Sequence, residues 1–251
     1  MNNFFDLSGK SAVVTGASTG LGGGMSLALA AAGADILLVD HKRRETTAEQ
    51  IRAEGRKAVS IAADLSEKGS VDEIIRVALD AFGKIDILIN NAGTIRRKPA
   101  IDVSEAEWNE VIAVNATSAF FLAQAAARDM MKRKNGKIVN IASLLSFQGG
   151  IMVPAYAASK GAVAQMTKAM ANEWAQHGIN VNAIAPGYMA TDNTKALRED
   201  PVRSRSILDR IPAGRWGTPN DMMGAVLFLA GAGSDYVHGH TLVVDGGWLA
   251  R

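Results

Sequence analysis

Tyr156 and Lys160 stand four residues apart in a stretch of helical period, so both side chains project from one helix face and can touch. A phenol with an ordinary pKa of about 10 is a poor acid or base at neutral pH, but a neighbouring ammonium favours the phenolate and brings the group into working range. Ser143 ends a candidate strand thirteen residues earlier and adds a hydroxyl. A single Tyr-x-x-x-Lys pair is common on amphipathic helices. Its meaning depends on what else the chain brings to the same rim.

Thr15-Gly16-Ala17-Ser18-Thr19-Gly20-Leu21-Gly22 follows a short apolar run and opens into an Ala/Leu-rich helix. Glycines at 16, 20 and 22 let the backbone turn tightly and approach a pyrophosphate at the helix N-terminus, with Ser18, Thr19 and Leu21 in the same turn. Asp40 ends the second strand about 20 residues on, where a carboxylate accepts ribose hydroxyls and repels a 2′-phosphate. That favours NAD over NADP, with Lys42-Arg43-Arg44 partly offsetting the repulsion. Asp64-Leu65 and Asn90-Asn91-Ala92-Gly93 fall at further strand ends, where small side chains let adenine and ribose lie close to the backbone; singly, each is ordinary turn chemistry. Two other readings fail on context. Gly16-Ala17-Ser18-Thr19-Gly20 satisfies G-x-S-x-G, but it follows the first strand, and the histidines available for a triad, His177, His238 and His240, sit at a helix end or in late loops. Gly9-Lys10-Ser11 has the form of a P-loop ending, but Phe4 stands where the first glycine belongs.

These residues need rigid elements to hold them. Strand candidates are 12–15, 36–40, 58–62, 85–90, 137–142, 180–185 and 242–244; between them lie helical patterns at 22–32, 45–54, 70–82, 104–132, 154–177 and 219–230. The strands read as almost continuously apolar, which suits a parallel sheet covered on both faces. The expected fold is therefore α/β, a doubly wound, seven-stranded parallel sheet with helices on both faces, in one domain spanning 1–251. Residues 191–215, polar and charged, with Pro201 and Pro212, break the alternation and form a candidate lid at the ligand-binding rim.

Composition removes several classes. The 251 residues are 48% hydrophobic and 21% charged, a globular composition rather than a disordered or membrane-embedded one. A formal charge of +2 is too small for the field that nucleic-acid or anionic-membrane binding needs. There are no cysteines, hence no disulfides and no thiol nucleophile. No clustered His and carboxylate set points to a metal. The N-terminal MNNFFDLSGK lacks a basic region followed by an apolar core, so a cytoplasmic setting without membrane span is expected, and Asn115-Ala116-Thr117 is a chance match to a glycosylation acceptor.

In their order, TGASTGLG, NNAG, Asn115, Ser143, YAASK and Pro186-Gly187 resemble the short-chain dehydrogenase/reductase family, from about residue 8 to the C-terminus. The resemblance implies a Rossmann-type sheet, usually in a tetramer. It implies Tyr156 as general acid/base touching substrate and cofactor, Ser143 holding the substrate oxygen, Lys160 on the nicotinamide ribose and Asn115 positioning a water for proton relay. Thr191 matches a threonine that contacts the cofactor. The segments NAGTIRR, LSFQGG, MANEWAQHGINVNAIAPGYMAT, RIPAGRWG and VDGGWLAR further resemble the family's sugar-acid dehydrogenases of uronate and pectin catabolism. The implied reaction is reversible hydride transfer between NAD(H) and a keto sugar acid, 3-deoxy-D-glycero-2,5-hexodiulosonate. Alternatives on the same fold are a 3-oxoacyl thioester reductase, disfavoured by Asp40, a gluconate 5-dehydrogenase, and a non-catalytic nucleotide-binding protein, against which the intact Ser143, Tyr156 and Lys160 speak.

A sugar acid carries a carboxylate, which a guanidinium recognises bidentately. Arg97 or Arg96, just past NNAG, is the first candidate; Gln148, Arg210 and Arg215 are others. The tail Trp248-Leu249-Ala250-Arg251 is expected to pack on a neighbouring subunit.

Overall fold

A computed structural model describes residues 3–251. Seven parallel strands, β1 (Ser11–Thr15), β2 (Asp35–Asp40), β3 (Ala58–Ala62), β4 (Ile87–Asn90), β5 (Gly136–Ile141), β6 (Ile179–Pro186) and β7 (Thr241–Val244), form one sheet in the order β3-β2-β1-β4-β5-β6-β7. Helices α1 (Gly20–Ala31), α2 (Thr46–Ala53) and α9 (Pro219–Ala230) cover one face, and α3 (Ser70–Phe82), α5 (Ser118–Arg133) and α6 (Pro154–Trp174) the other. Successive strand residues serve opposite faces. Val14, Ile36 and Ile89 pack with Met25, Leu29, Met222 and Val226, while Val13, Leu37 and Leu88 pack with Ile74, Leu122 and Met170. Double coverage is why the strands do not alternate in polarity.

The chain winds outward from β1 through β2 to β3, then crosses back to place β4 on the other side of β1. A crevice opens at that reversal, beyond the carboxyl ends of the strands. The glycine turn after β1 and Asn91-Ala92-Gly93 after β4 flank it.

Strand bounds match the expected ones to within a residue or two. Three features differ from the periodic reading. The pattern over 104–132 resolves into α4 (Glu105–Ile112), a π turn (Ala113–Thr117) and α5. Glu105–Arg133 has the length and apolarity of a membrane-crossing helix, but half of its apolar window is buried inside the fold, where Leu122, Ala126 and Met130 pack on the sheet. The pattern over 154–177 ends its α-helix at Trp174, and one 3₁₀ turn runs to a left-handed Gly178. Finally, the inserted segment is itself helical, with a 3₁₀ turn (Asp192–Thr194), α7 (Lys195–Glu199) and α8 (Pro201–Leu208). Pro201 starts α8 rather than breaking it: its missing N–H costs nothing at the first helical position, and Asp200 accepts from the N–H groups of Val202 and Arg203, each at 3.0 Å.

The C-terminal tail divides, with Trp248 buried and Ala250 and Arg251 exposed. Trp248 is 5% exposed and packs within its own chain against Leu144, Ile207 and Ile211.

Candidate active site

Gly16 leaves β1 with φ +62, and a Cβ there would sit 2.9 Å from Asn91 Nδ2. A Cβ on Gly22 would overlap the Gly16 carbonyl, so the turn closes only with glycine at both positions. Asn91 Nδ2 donates to the carbonyls of Thr15 (2.9 Å) and Gly16 (3.0 Å). The Thr15 hydroxyl in turn accepts from the N–H groups of Asn91 and Ala92, both at 3.0 Å. The two flanks of the crevice are thereby laced together. Thr15 escaped the sequence reading, which treated it as the strand's last residue; a hydroxyl at a strand end facing the next strand's turn was the available signal.

The crevice is a cavity of about 540 Å³, within the range of small-molecule sites. Its lining holds Gly16, Thr19, Gly20, Leu21, Gly22, Asp40, Asn91, Ala92, Gly93, Pro186, Gly187 and Thr191, together with Ser143, Tyr156 and Lys160. Asp64 and Leu65 line an adjoining cavity of about 410 Å³ that shares Gly16, Asp40, Ala92 and Gly93. Ser18 is buried behind the turn, where its hydroxyl donates to the Asp40 carboxylate. Burial raises the Asp40 pKa, while the Ser18 bond and the Arg44 charge act against the rise. A cradle of this shape, closed to side chains at its glycines and carrying a carboxylate at the β2 end, fits a dinucleotide.

Tyr156 and Lys160 lie on the first turns of α6, and Lys160 Nζ sits 5.7 Å from the Tyr156 ring centre. Lys160 is 3% exposed, and burial pushes its pKa down to about 8; its ammonium donates to the Ile141 carbonyl at 2.6 Å. Burial pushes the Tyr156 phenol up, opposed by the neighbouring Ser143 hydroxyl and the Arg97 charge. The Ser143 hydroxyl also caps the turn that follows it, accepting from Leu145 N–H at 3.2 Å. Asn115, in the π turn, is 2% exposed with its amide fully engaged: Oδ1 accepts from Thr94 N–H (2.7 Å), and Nδ2 donates to the Thr94 carbonyl (2.9 Å) and Ser159 Oγ (3.0 Å). Ser159 Oγ donates to the Tyr156 carbonyl at 2.7 Å, so Asn115 joins the loop after β4 to the turn carrying the tyrosine.

The four candidate arginines separate. Arg96 is paired with Glu110. Arg215 forms two bonds to Asp221 (2.8 and 2.7 Å), which holds that carboxyl well below its usual range and completes the N-cap of α9. Arg210 lies over the Trp248 ring, 4.0 Å from its centre. Arg97 alone of the four has neither a carboxylate nor a ring partner among the described residues. Its Nη2 donates to the Asn193 carbonyl at 3.0 Å, bridging the loop after β4 to the inserted segment. Gln148 lies outside the cavity lining, where its Oε1 accepts from Trp248 Nε1 at 3.3 Å.

A half-buried phenol beside a buried ammonium, with a hydroxyl next to it and a dinucleotide cradle adjoining, can exchange a proton with a substrate oxygen while hydride passes to or from a nicotinamide. Known proteins agree. The family model described as enoyl-(acyl carrier protein) reductase matches residues 16–249. The chain is 57% identical to 2-dehydro-3-deoxy-D-gluconate 5-dehydrogenase of Escherichia coli over 98% of both chains. It is 55% identical to the protein of the same name from Dickeya dadantii over 99% of both. A solved structure from Agrobacterium tumefaciens, assigned as a 2-deoxy-D-gluconate 3-dehydrogenase and holding NADP, covers 100% of both chains at 50% identity with a TM-score of 0.91. Likeness of this extent, over nearly the whole chain, means that the protein uses a nicotinamide dinucleotide and belongs to the short-chain dehydrogenase/reductase family of oxidoreductases.

Proposed function

We propose that this protein interconverts 2-dehydro-3-deoxy-D-gluconate and 3-deoxy-D-glycero-2,5-hexodiulosonate with NAD(H), a step of uronate and pectin catabolism. The observation that carries the reading is Arg97: a guanidinium without a carboxylate partner, bonded to Asn193 of the crevice lining and close enough to act electrostatically on Tyr156. A carboxylate docked there brings a sugar-acid chain past the phenol. An acyl thioester has no carboxylate to offer at that position.

The bound dinucleotide supplies or receives the hydride. In reduction Tyr156 gives its proton to the carbonyl oxygen, and in oxidation its phenolate takes the hydroxyl proton. Ser143 donates a hydrogen bond to the same oxygen, positioning it and stabilising the charge that develops. Lys160 binds the nicotinamide ribose and holds positive charge beside the phenolate. Asn115 anchors the relay that returns a proton to Tyr156. Gly16, Gly20 and Gly22 would hold the pyrophosphate, and Thr191 and Gly187 would contact the nicotinamide end.

Preference for NAD over NADP rests on the Asp40 carboxylate, which Ser18 holds at the crevice, whereas the Agrobacterium structure holds NADP. One domain with a lid at 191–215, a homotetramer and a cytoplasmic setting complete the proposal. The family resemblance supports them, and Trp108 and Phe121, which stand 40% and 46% exposed on α4 and α5, support the assembly. Initial rates with the diketo acid, NADH and NADPH, beside an acetoacetyl thioester, decide the reading. A rate confined to NADH and the keto acid supports it, and turnover of the thioester with NADPH overturns both substrate and cofactor.

A further inference from the structure

Trp248 lies where three separate pieces of chain meet. Its indole N–H donates to Gln148, at the end of the loop that begins with Ser143. Its ring carries the Arg210 guanidinium, just past α8, and lies 4.6 Å from the Tyr188 ring, which stands edge-on to Trp216 at 5.7 Å. Ile207 and Ile211 from the inserted segment and Leu144, next to Ser143, bury against it.

The backbone before Trp248 is shaped for this contact. Gly246 (φ +66) and Gly247 (φ +92) are both left-handed. A Cβ on Gly246 would lie 3.0 Å from Ile211 Cγ2, and one on Gly247 2.9 Å from Pro212 Cγ. Ala213 N–H donates to the Gly246 carbonyl at 2.9 Å. Asp245 accepts from the N–H groups of Gly247 and Leu249, both at 2.8 Å, and so fixes the turn that presents the indole.

We infer that Trp248 is a positioning residue, tying the inserted segment 191–215 to the loop that carries Ser143 so that the substrate end of the crevice is assembled as one piece. Gln148 and Arg210 act through it and not on the substrate. This rests on the functional reading above for its substrate, but not for its mechanical part. The adenosine and pyrophosphate part of the cofactor cradle is built at the ends of β1, β2 and β4; only Gly187, which packs on Asp245, and Thr191, which begins the inserted segment, bring the neighbourhood of the anchor to the crevice. Loosening the anchor therefore weakens sugar-acid binding more than dinucleotide binding, most of whose contacts lie on β1, β2 and β4.

The test uses the full chain with Arg210→Gln, an exposed position that loses only the stacked cation, and Trp248→Phe, which keeps a ring but loses the bond to Gln148. Three quantities are read: trypsin cleavage at Lys195, Arg198, Arg203 and Arg205, KM for the keto acid, and Kd for NADH. Each variant is expected to be cleaved faster in the segment and to raise KM about two- to five-fold, with Kd for NADH changed by less than about two-fold. Wild-type cleavage and KM in both variants overturn the inference. So does a parallel loss of NADH binding, KM and Tm, which is the mark of a merely structural tryptophan. If the wild-type enzyme does not turn over the keto acid, the substrate reading falls while the cleavage rates still decide the anchoring.

Discussion

The Ser18 hydroxyl donates to the Asp40 carboxylate, joining the glycine turn after β1 to the end of β2. The bond holds a negative group at the end of β2, on the lining of the crevice, where we place the adenosine ribose of the dinucleotide. Asp40→Asn keeps the size and a hydrogen-bonding oxygen but removes the charge. It is expected to raise kcat/KM with NADPH by about 10- to 100-fold and to lower it with NADH, because like-charge contact costs a few kcal/mol. An unchanged NADPH/NADH ratio would show that Asp40 does not select the cofactor.

Tyr156→Phe removes the proton donor and retains the ring beside Lys160. Loss of a positioned general acid costs about 10²–10⁴-fold in rate, so kcat is expected to fall by that amount while NADH still binds with the fluorescence change of the wild type. Retention of more than a tenth of the wild-type kcat sinks the assignment.

How far the site was legible depends on how local its geometry is. Tyr156 and Lys160 share one helix face, and Gly16, Gly20 and Gly22 share one turn, so spacing along the chain is nearly spacing in space. The strands were readable because double coverage makes them continuously apolar, and Asp40 because it ends one of them. The arginines were not. Whether Arg96 or Arg97 stays unpaired depends on which of them meets Glu110 as the loop passes α4, a contact 14 residues away in sequence. Gln148 and Trp248 meet across 100 residues, and no local pattern marks that pairing. The π turn carrying Asn115 was hidden as well, since one widened turn barely disturbs a helical period.

Lys160 should oppose stability while serving the site. Unfolded, it keeps its proton to about pH 10; folded, burial brings its pKa down to about 8. Between these values the unfolded chain binds more protons, so this residue's contribution to stability rises with pH across that window and is least favourable below it. Lys160→Met is thus expected to abolish activity yet raise Tm at pH 7, with the gain shrinking as pH approaches 10. Thermal melts of both proteins from pH 7 to 10 check this; a gain independent of pH contradicts the buried-charge account.

Arg97 and its neighbour offer an internal control. Arg96 is paired with Glu110, so Arg96→Ala should alter turnover little, whereas Arg97→Ala removes the one guanidinium left for a substrate carboxylate. Loss of such a pair costs about 2 kcal/mol, or about 30-fold in kcat/KM for the keto acid. A second effect has a definite sign. The Arg97 charge holds the Tyr156 phenol below the value burial alone would give, so its removal raises that pKa. Oxidation, which needs the phenolate, then moves its pH–rate profile to higher pH in Arg97→Ala and stays in place in Arg97→Lys, which keeps the charge but not the planar fork. KM and the pH profile separate the two roles: Arg97→Lys should lose carboxylate affinity without the alkaline shift. Equal losses in Arg96→Ala and Arg97→Ala would mean that neither arginine binds the substrate, and that the carboxylate is recognised elsewhere in the crevice.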